Sequence, residues 1–210
     1  MNVVILGATG GTGRLLTRGA LERGHTVTAI ARRPDRLELP SSHRLEIVAG
    51  DVTEPASIAP ALRRADVLLS ALGVSKGGPP DLLARGARLV TSDSSWRIVW
   101  LGAFGTGGSA AVAGRLTRSV LRLVLAPELQ DKADADTIVA AAGGVLVHAG
   151  PLTNGPAAAH WSAVPLAEAP GRRVPRPVSR ATVAAVMLGE AEHGGHGGQI
   201  VLPLASLPGP

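Results

Sequence analysis

Cysteine and tyrosine are absent from this chain of 210 residues, and aromatic side chains make up only 2% of it. The lack of cysteine excludes disulfides, thiolate nucleophiles and zinc or iron sites built on thiolates. The lack of tyrosine excludes any reaction in which a phenol donates the proton. With three Trp and one Phe, the core must be built from Ala, Val, Leu and Ile, and little remains for stacking on bases. Lysine is scarce as well, Lys76 and Lys132 being the two in a set of 21 basic residues.

The formal net charge is +5, carried by scattered arginines, which fits an anionic small molecule better than a nucleic acid. Heavy use of Ala and Arg points to a GC-rich, bacterial coding sequence. No uncharged apolar run reaches membrane-spanning length. The chain opens on the strand-like run Val3-Val4-Ile5-Leu6, which leaves no room for a signal peptide, so a cytoplasmic protein is expected. His193 and His196 flank glycines without further ligands, and no metal site is expected there. The expected partner is a small-molecule substrate, with no nucleic acid and no membrane, on a monomer or homodimer.

Short apolar runs alternate with longer segments of helical period, the pattern of a parallel sheet with crossover helices. Strands are expected at Val3–Leu6, Thr26–Ala31, Arg44–Ala49, Asp66–Ser70, Arg97–Leu101, Val145–His148 and Gln199–Leu202. Helices are expected at Gly11–Arg23, Pro55–Arg64, Pro80–Thr91, Ala111–Leu125, Gln130–Ala142 and Arg180–Glu192. Pro55 and Pro60 are tolerable only near the start of their helix. The fold class is therefore α/β: a single doubly wound parallel sheet of the Rossmann type with helices on both faces. Residues 150–178 are rich in Pro, Gly and Ala, too short for a core of their own, and are expected to fold over the carboxyl ends of the strands.

Gly7-Ala8-Thr9-Gly10-Gly11-Thr12-Gly13 follows the first strand directly and opens a helix, the context that makes a glycine cluster a dinucleotide loop. Gly7 permits the tight turn, Gly10 lets backbone approach a pyrophosphate, and Gly13 lets helix and sheet pack closely. Thr9, Gly11 and Thr12 add backbone and hydroxyl donors at the positive end of the helix. The second strand ends in Arg32-Arg33 where an NAD enzyme carries an acidic residue. A guanidinium grips a 2′-phosphate through paired hydrogen bonds, so NADP(H) is expected over NAD(H), with Arg14 able to reach the same phosphate. Asp51 and Val52, after the third strand, are placed to meet the adenine. Ala71, Leu72 and Gly73, after the fourth, leave room for the adenosine.

These residues resemble a known group. The run at 7–14 with Gly50-Asp51-Val52 and Ala71-Leu72-Gly73 is similar to the atypical short-chain dehydrogenase/reductases with NAD(P)H-binding, NmrA-like domains, of the flavin reductase/biliverdin reductase B type. Asp131-Lys132-Ala133-Asp134-Ala135-Asp136 is similar to that family's Lys-Ala-Glu-x-Glu helix. Gly150-Pro151-Leu152-Thr153-Asn154-Gly155-Pro156 is similar to its Pro-Gly-x-Leu-Thr-x-Gly-Pro turn, and Val178-Ser179-Arg180-Ala181 to its Ile-Ser-Arg-Ala. The resemblance implies a single domain, NADP(H) and a small planar electron acceptor. It also implies cofactor contacts from Gly150, Pro151 and Leu152, and places Lys132 beside the nicotinamide ribose. The departures are equally specific. Gly102-Ala103-Phe104-Gly105 stands where the family has a Ser-Ser pair, His148-Ala149 where it has Arg-Pro, and Thr182 where an Asp follows Ser-Arg-Ala.

Among the remaining polar groups, Lys132 is a catalytic candidate because a cation there can stabilise negative charge on a reduced acceptor. It is equally readable as a solvated helix lysine beside Asp131 and Asp136. His148 ends a strand on the ligand side and is a candidate proton donor. Phe104, His160 and Trp161 are candidate substrate contacts. Arg115, Arg118 and Arg122 recur at helical spacing, as a solvated face or a basic wall, opposite Leu116, Val120, Leu123 and Val124. Three functions stay open: a reductase passing hydride directly to a flavin, quinone or biosynthetic intermediate, an NADP(H)-binding sensor without turnover, and a non-redox isomerase or cyclase on the same scaffold.

Overall fold

The computed structural model describes residues 1–39, 41–74, 78–93, 95–114, 119, 128–169 and 176–205. Ten strands are seen among them: β1 (Asn2–Leu6), β2 (Thr26–Ala31), β3 (Leu45–Ala49), β4 (Val67–Ser70), β5 (Arg97–Ala103), β6 (Val145–Ala149), β7 (Leu152–Thr153), β8 (Trp161–Pro165), β9 (Val178–Ser179) and β10 (Ile200–Ala205). The helices are α1 (Gly11–Glu22), α2 (Pro55–Leu62), α3 (Leu82–Val90), α4 (Leu129–Ala141) and α5 (Arg180–His193). An eight-stranded sheet runs β3-β2-β1-β4-β5-β6-β10-β8, and β7 pairs with β9 in a small parallel ribbon. The order reverses between β1 and β4, the switch point at which such sheets hold ligands.

Alternation along β1 sorts the two faces. Val3 and Ile5 pack with Leu16 and Ala20 of α1 and Val183 and Met187 of α5. Val4 and Leu6 pack with Ile58 of α2, Leu83 and Ala87 of α3 and Val139 of α4. Both faces of every central strand are thus covered, which is why these strands read as unbroken apolar runs. Each fully buried aliphatic side chain contributes about 1.5–3 kcal/mol of transfer free energy.

The expected parallel sheet and flanking helices are present, and three details differ. Residues 161–165 do not lie as irregular cover: β8 pairs antiparallel to β10, from Val201↔Pro165 to Ala205↔Trp161, and closes the sheet edge. Trp161 also packs on α5, where a Cβ on Gly189 would stand 2.7 Å from its ring. Pro60 sits inside α2 rather than at its start, and the helix ends at Leu62. Pro60 forfeits one backbone bond, and burial of Ile58, Ala61 and Leu62 holds the short helix in place. Gly107–Ala110 is a 3-10 turn. The helix expected over 111–125 does not begin at Ala111, because residues 111–114 continue the turn, and Arg115, Leu116, Arg118, Val120, Arg122, Leu123 and Val124 lie outside the described residues, as does Lys76.

α3 owes its start to another helix. Asp131 of α4 is buried, and its two carboxylate oxygens accept the N–H groups of Leu83 (2.9 Å) and Ala84 (2.8 Å). These are first-turn donors that have no partner within their own helix. Asp131 is therefore a cap supplied across the helix pair.

Candidate functional site

The turn after β1 is shaped by three glycines. Gly7 has φ +73°, and a Cβ there would meet the Ala71 carbonyl oxygen at 2.5 Å. At Gly13 a Cβ would lie 2.1 Å from the Gly7 oxygen, so helix and strand approach as closely as only glycine allows. α1 begins with no side-chain cap on its N-terminal donors, whereas Ser179 caps α5 by accepting the Thr182 N–H at 3.0 Å. The first turn of α1 is left with N–H groups that suit a diphosphate, so the residues present fit the cofactor the loop implies.

Beside this turn lies a cavity of about 310 Å³ lined by Gly7, Thr9, Gly10, Arg32, Asp51, Val52 and Ala71 to Val74. Four successive strand ends, those of β1 to β4, thereby meet in one place. Asp51 is oriented by its own loop: its Oδ1 accepts the Thr53 N–H and Oγ1–H, both at 2.8 Å. Thr12 and Gly13 are buried beneath the turn and do not line the cavity. Arg33 is exposed and outside the lining. Arg14 turns to the side, donating from Nε to the Thr9 oxygen (3.1 Å) and from Nη2 to the Arg36 oxygen (2.7 Å). It ties the phosphate loop to the turn after β2, a link with no local sequence signal.

A second cavity of about 390 Å³ opens at the ends of β5, β6 and β10. Phe104, His148 and Gly150 line it, together with Pro156, Ala157 and Ala158 on one side and Arg176 to Ser179 and Thr182 on the other. Leu202 to Ala205 form its floor along β10. The lining is mostly apolar, with Arg176 as its cation. Pro151 and Leu152 stand outside it, Pro151 exposed and Leu152 packed on the core. His160 is exposed and Trp161 is committed to the sheet edge, so neither lines this cavity.

His148 is arranged differently from a free proton donor. Its side chain has no solvent exposure. Nδ1 lies 2.8 Å from Ser109 Oγ, and Nε2 lies 3.2 Å from Asp136 Oδ2. The second contact lacks hydrogen-bond alignment, leaving Nε2 buried without a hydrogen-bond partner. Both ring nitrogens thus face protein, and the ring presents no N–H to the cavity. Ser109 Oγ accepts the Gly105 N–H at 2.8 Å and lies 2.9 Å from the Thr106 oxygen, and Thr106 Oγ1 reaches Asp136 at 3.3 Å. Ser109, Thr106, Asp136 and His148 are all buried. Gly102 to Gly105 carry no hydroxyl, and the residues that follow bring two, those of Thr106 and Ser109, to Asp136 and His148. Asp136 carried a signal in the family-like helix motif; Ser109 carried none.

Lys132 lines neither cavity. Its ammonium lies 3.6 Å from Glu128, one turn earlier on the same helix, not beside Asp131 or Asp136. Among the described residues no group of His, Cys, Asp and Glu could hold a metal ion, and no helix is long and apolar enough to cross a membrane.

A family model described as NAD(P)H-binding matches residues 7–193. Among curated proteins, the photosystem II assembly factor Ycf39 of Synechocystis is 32% identical over 71 residues, 34% of this chain and 22% of that protein. The Arabidopsis thaliana protein named Probable pinoresinol-lariciresinol reductase 3 is 36% identical over 73 residues, 33% of this chain and 24% of that one. The match thus spans about a quarter of the length of these relatives or less. Among solved structures, the anaerobillin reductase ChuY of Escherichia coli O157:H7 superposes with a TM-score of 0.77 at 18% identity, covering 100% of both chains. The oxidoreductase ylbE of Lactococcus lactis superposes at 0.78 with 17% identity, covering 98% of this chain and 91% of that one. At such identities the likeness is one of fold.

Proposed function

The chain belongs to the NAD(P)H-binding family, and from that premise we propose that it is an NADPH-dependent reductase that passes hydride directly to a small planar acceptor, a flavin, a quinone or a biosynthetic intermediate. The observation that carries the reading is the presence of two cavities at the carboxyl ends of the strands of one sheet. One is lined by the phosphate loop and Arg32, the other by the ends of β5, β6 and β10. When bound, reduced NADP supplies the hydride. The protein's own part is to hold and orient.

The uncapped first turn of α1 and the glycine turn receive the diphosphate, with Thr9, Gly10 and Gly11 nearest to it. Arg32, in the cavity lining, carries the 2′-phosphate preference; Arg14 and Arg33 stand outside that lining. Val52 and Asp51 flank the adenine, and Ala71, Leu72 and Gly73 leave it room. Phe104, Pro156, Ala157 and Leu202 offer an apolar slot to a flat ring and exclude water from it. Gly150 lets backbone approach the ligand at the end of β6. Reduction of a flavin or quinone depends on proximity and orientation, and solvent supplies the proton. That suits a cavity toward which no tyrosine, lysine or histidine N–H is directed.

The same feature supports a second reading, an NADP(H)-binding protein that reports cofactor state to a partner. A curated relative bears the name of an assembly factor. The two readings part in one experiment, in which purified protein is mixed with NADPH and a panel of flavins and quinones while loss of reduced-nicotinamide absorbance is followed. Turnover with one acceptor class supports the reductase. Tight NADPH binding with no oxidation across the panel would refute it in favour of the sensor.

A further inference from the structure

Residues 154–160 join β7 to β8, and Pro156, Ala157 and Ala158 within them form one wall of the cavity at the ends of β5, β6 and β10. Strand pairing fixes this segment only at its two ends. Thr153 is in register with Ser179 in the β7–β9 ribbon, and Trp161 pairs with Ala205. Between those points, among the described residues, 154–160 make no backbone–backbone hydrogen bond. A stretch without a ladder depends on side chains that reach its polar groups.

Its polar anchors come from the start of α5. Ser179 Oγ–H donates to the Pro156 oxygen at 2.7 Å, and the Ala158 N–H donates to Thr182 Oγ1 at 2.9 Å. Arg180 Nη1 donates to Asn154 Oδ1 at 2.7 Å. The two hydroxyl oxygens lie 2.8 Å apart. A hydroxyl has a single proton, and that of Ser179 is committed to Pro156, so Thr182 donates to Ser179. Ser179 Oγ also accepts the Thr182 N–H at 3.0 Å. The protons thus run one way, from Thr182 through Ser179 to the wall, and neither hydroxyl keeps one for a ligand. Thr182 is buried beneath the segment it holds. The aspartate that the family pattern has at this position accepts from an N–H but, ionised, has no proton for Ser179.

We propose that Thr182 is a positioning residue: together with Ser179 it latches the 156–158 wall onto α5 and so sets the shape of the cavity that receives the acceptor. The assignment of that cavity to an acceptor rests on the reductase reading; the latch itself does not. With its proton committed to Ser179, Thr182 acts through the wall it holds and not on a reacting atom.

The test compares Thr182→Val, which keeps the side chain's shape and loses the hydroxyl, with Thr182→Ser, which keeps the hydroxyl. Amide exchange of the full chain is followed residue by residue by NMR, and melting curves check that both variants fold. Ala158 is expected to exchange at least about fivefold faster in Thr182→Val and at the native rate in Thr182→Ser. Steady-state kinetics with the flavin or quinone that the native protein reduces should show the acceptor's KM raised at least about threefold in Thr182→Val and restored in Thr182→Ser, with the KM for NADPH unchanged. Ala158 exchanging equally slowly in all three proteins would overturn the latch. Equally fast exchange in both variants would overturn it too, because packing of the γ-methyl group would then be what holds the wall. A loosened Ala158 with an unchanged acceptor KM would overturn the positioning role. If the native protein turns over no acceptor, the reductase reading falls and the exchange comparison alone decides the latch.

Discussion

Gly102 lies directly across from His148 in the β5–β6 pairing, and a Cβ at position 102 would stand 2.6 Å from both Cδ2 and Nε2 of the imidazole. The same Cβ would come within 3.1 Å of Asp136 Oδ1. Two departures from the family pattern, the missing serines at 102–105 and the histidine at 148, are therefore one structural feature. The ring fills the space a side chain at 102 would need, and Ser109 returns a hydroxyl from the following turn.

This coupling predicts the behaviour of a mutant cycle. Gly102→Ala should destabilise the protein by about 1–3 kcal/mol through overpacking. In a His148→Ala background the same change should cost much less, because its obstacle is gone. Urea denaturation of the four proteins measures this. Additive effects would show that the ring moves aside freely.

Asp131→Ala should lower stability by about 1–3 kcal/mol, the range for leaving buried donors without a partner. Asp131→Asn should cost less, since the amide keeps one acceptor oxygen for Leu83 or Ala84. Thermal melts give the ordering, and hydrogen exchange should locate the loss in the first turn of α3. Uniform loss of protection across the chain would contradict the assignment.

Gly13→Ala should abolish cofactor binding as well as lower the melting temperature. Its Cβ would lie 2.1 Å from the Gly7 oxygen, a contact that only backbone movement relieves. The movement displaces the turn that receives the diphosphate. NADPH titration by fluorescence reads the binding loss directly, and retained affinity would show that the close approach is unrelated to the cleft.

Arg32→Asp should raise the dissociation constant for NADPH at least about tenfold and shift preference toward NADH, by removing the 2′-phosphate's partner and offering an acceptor to the ribose hydroxyls. Paired titrations with both cofactors decide it. An unchanged ratio would remove Arg32 from the phosphate site and leave Arg33 or Arg36 to be tested.

Much of this architecture was legible in the chain itself. The glycine turn, the order of strands and helices and the arginine at the second strand's tip are local matters. A strand, a turn that needs glycine and a helix start follow one another within about ten residues, and the backbone preferences that make them act at that range. The central strands are buried on both faces, so their apolar runs announce themselves without help from neighbours.

The tertiary structure alone decided what the polar groups do. His148 reads as a strand-end histidine open to substrate, yet Ser109, from a 3-10 turn, bonds Nδ1 and Asp136, from a separate helix, stands against Nε2. Asp131 reads only as the residue beside Lys132, yet it caps the start of α3, 48 residues away. Trp161 reads as part of a cover, yet it is held at the sheet edge by α5. A buried polar or aromatic side chain takes whichever partner packing brings within reach, and that partner is set by strand pairing and helix docking over tens of residues. Sequence spacing carries the backbone's preferences and the apolar pattern. The pairing of side chains across elements exists only once the chain has folded.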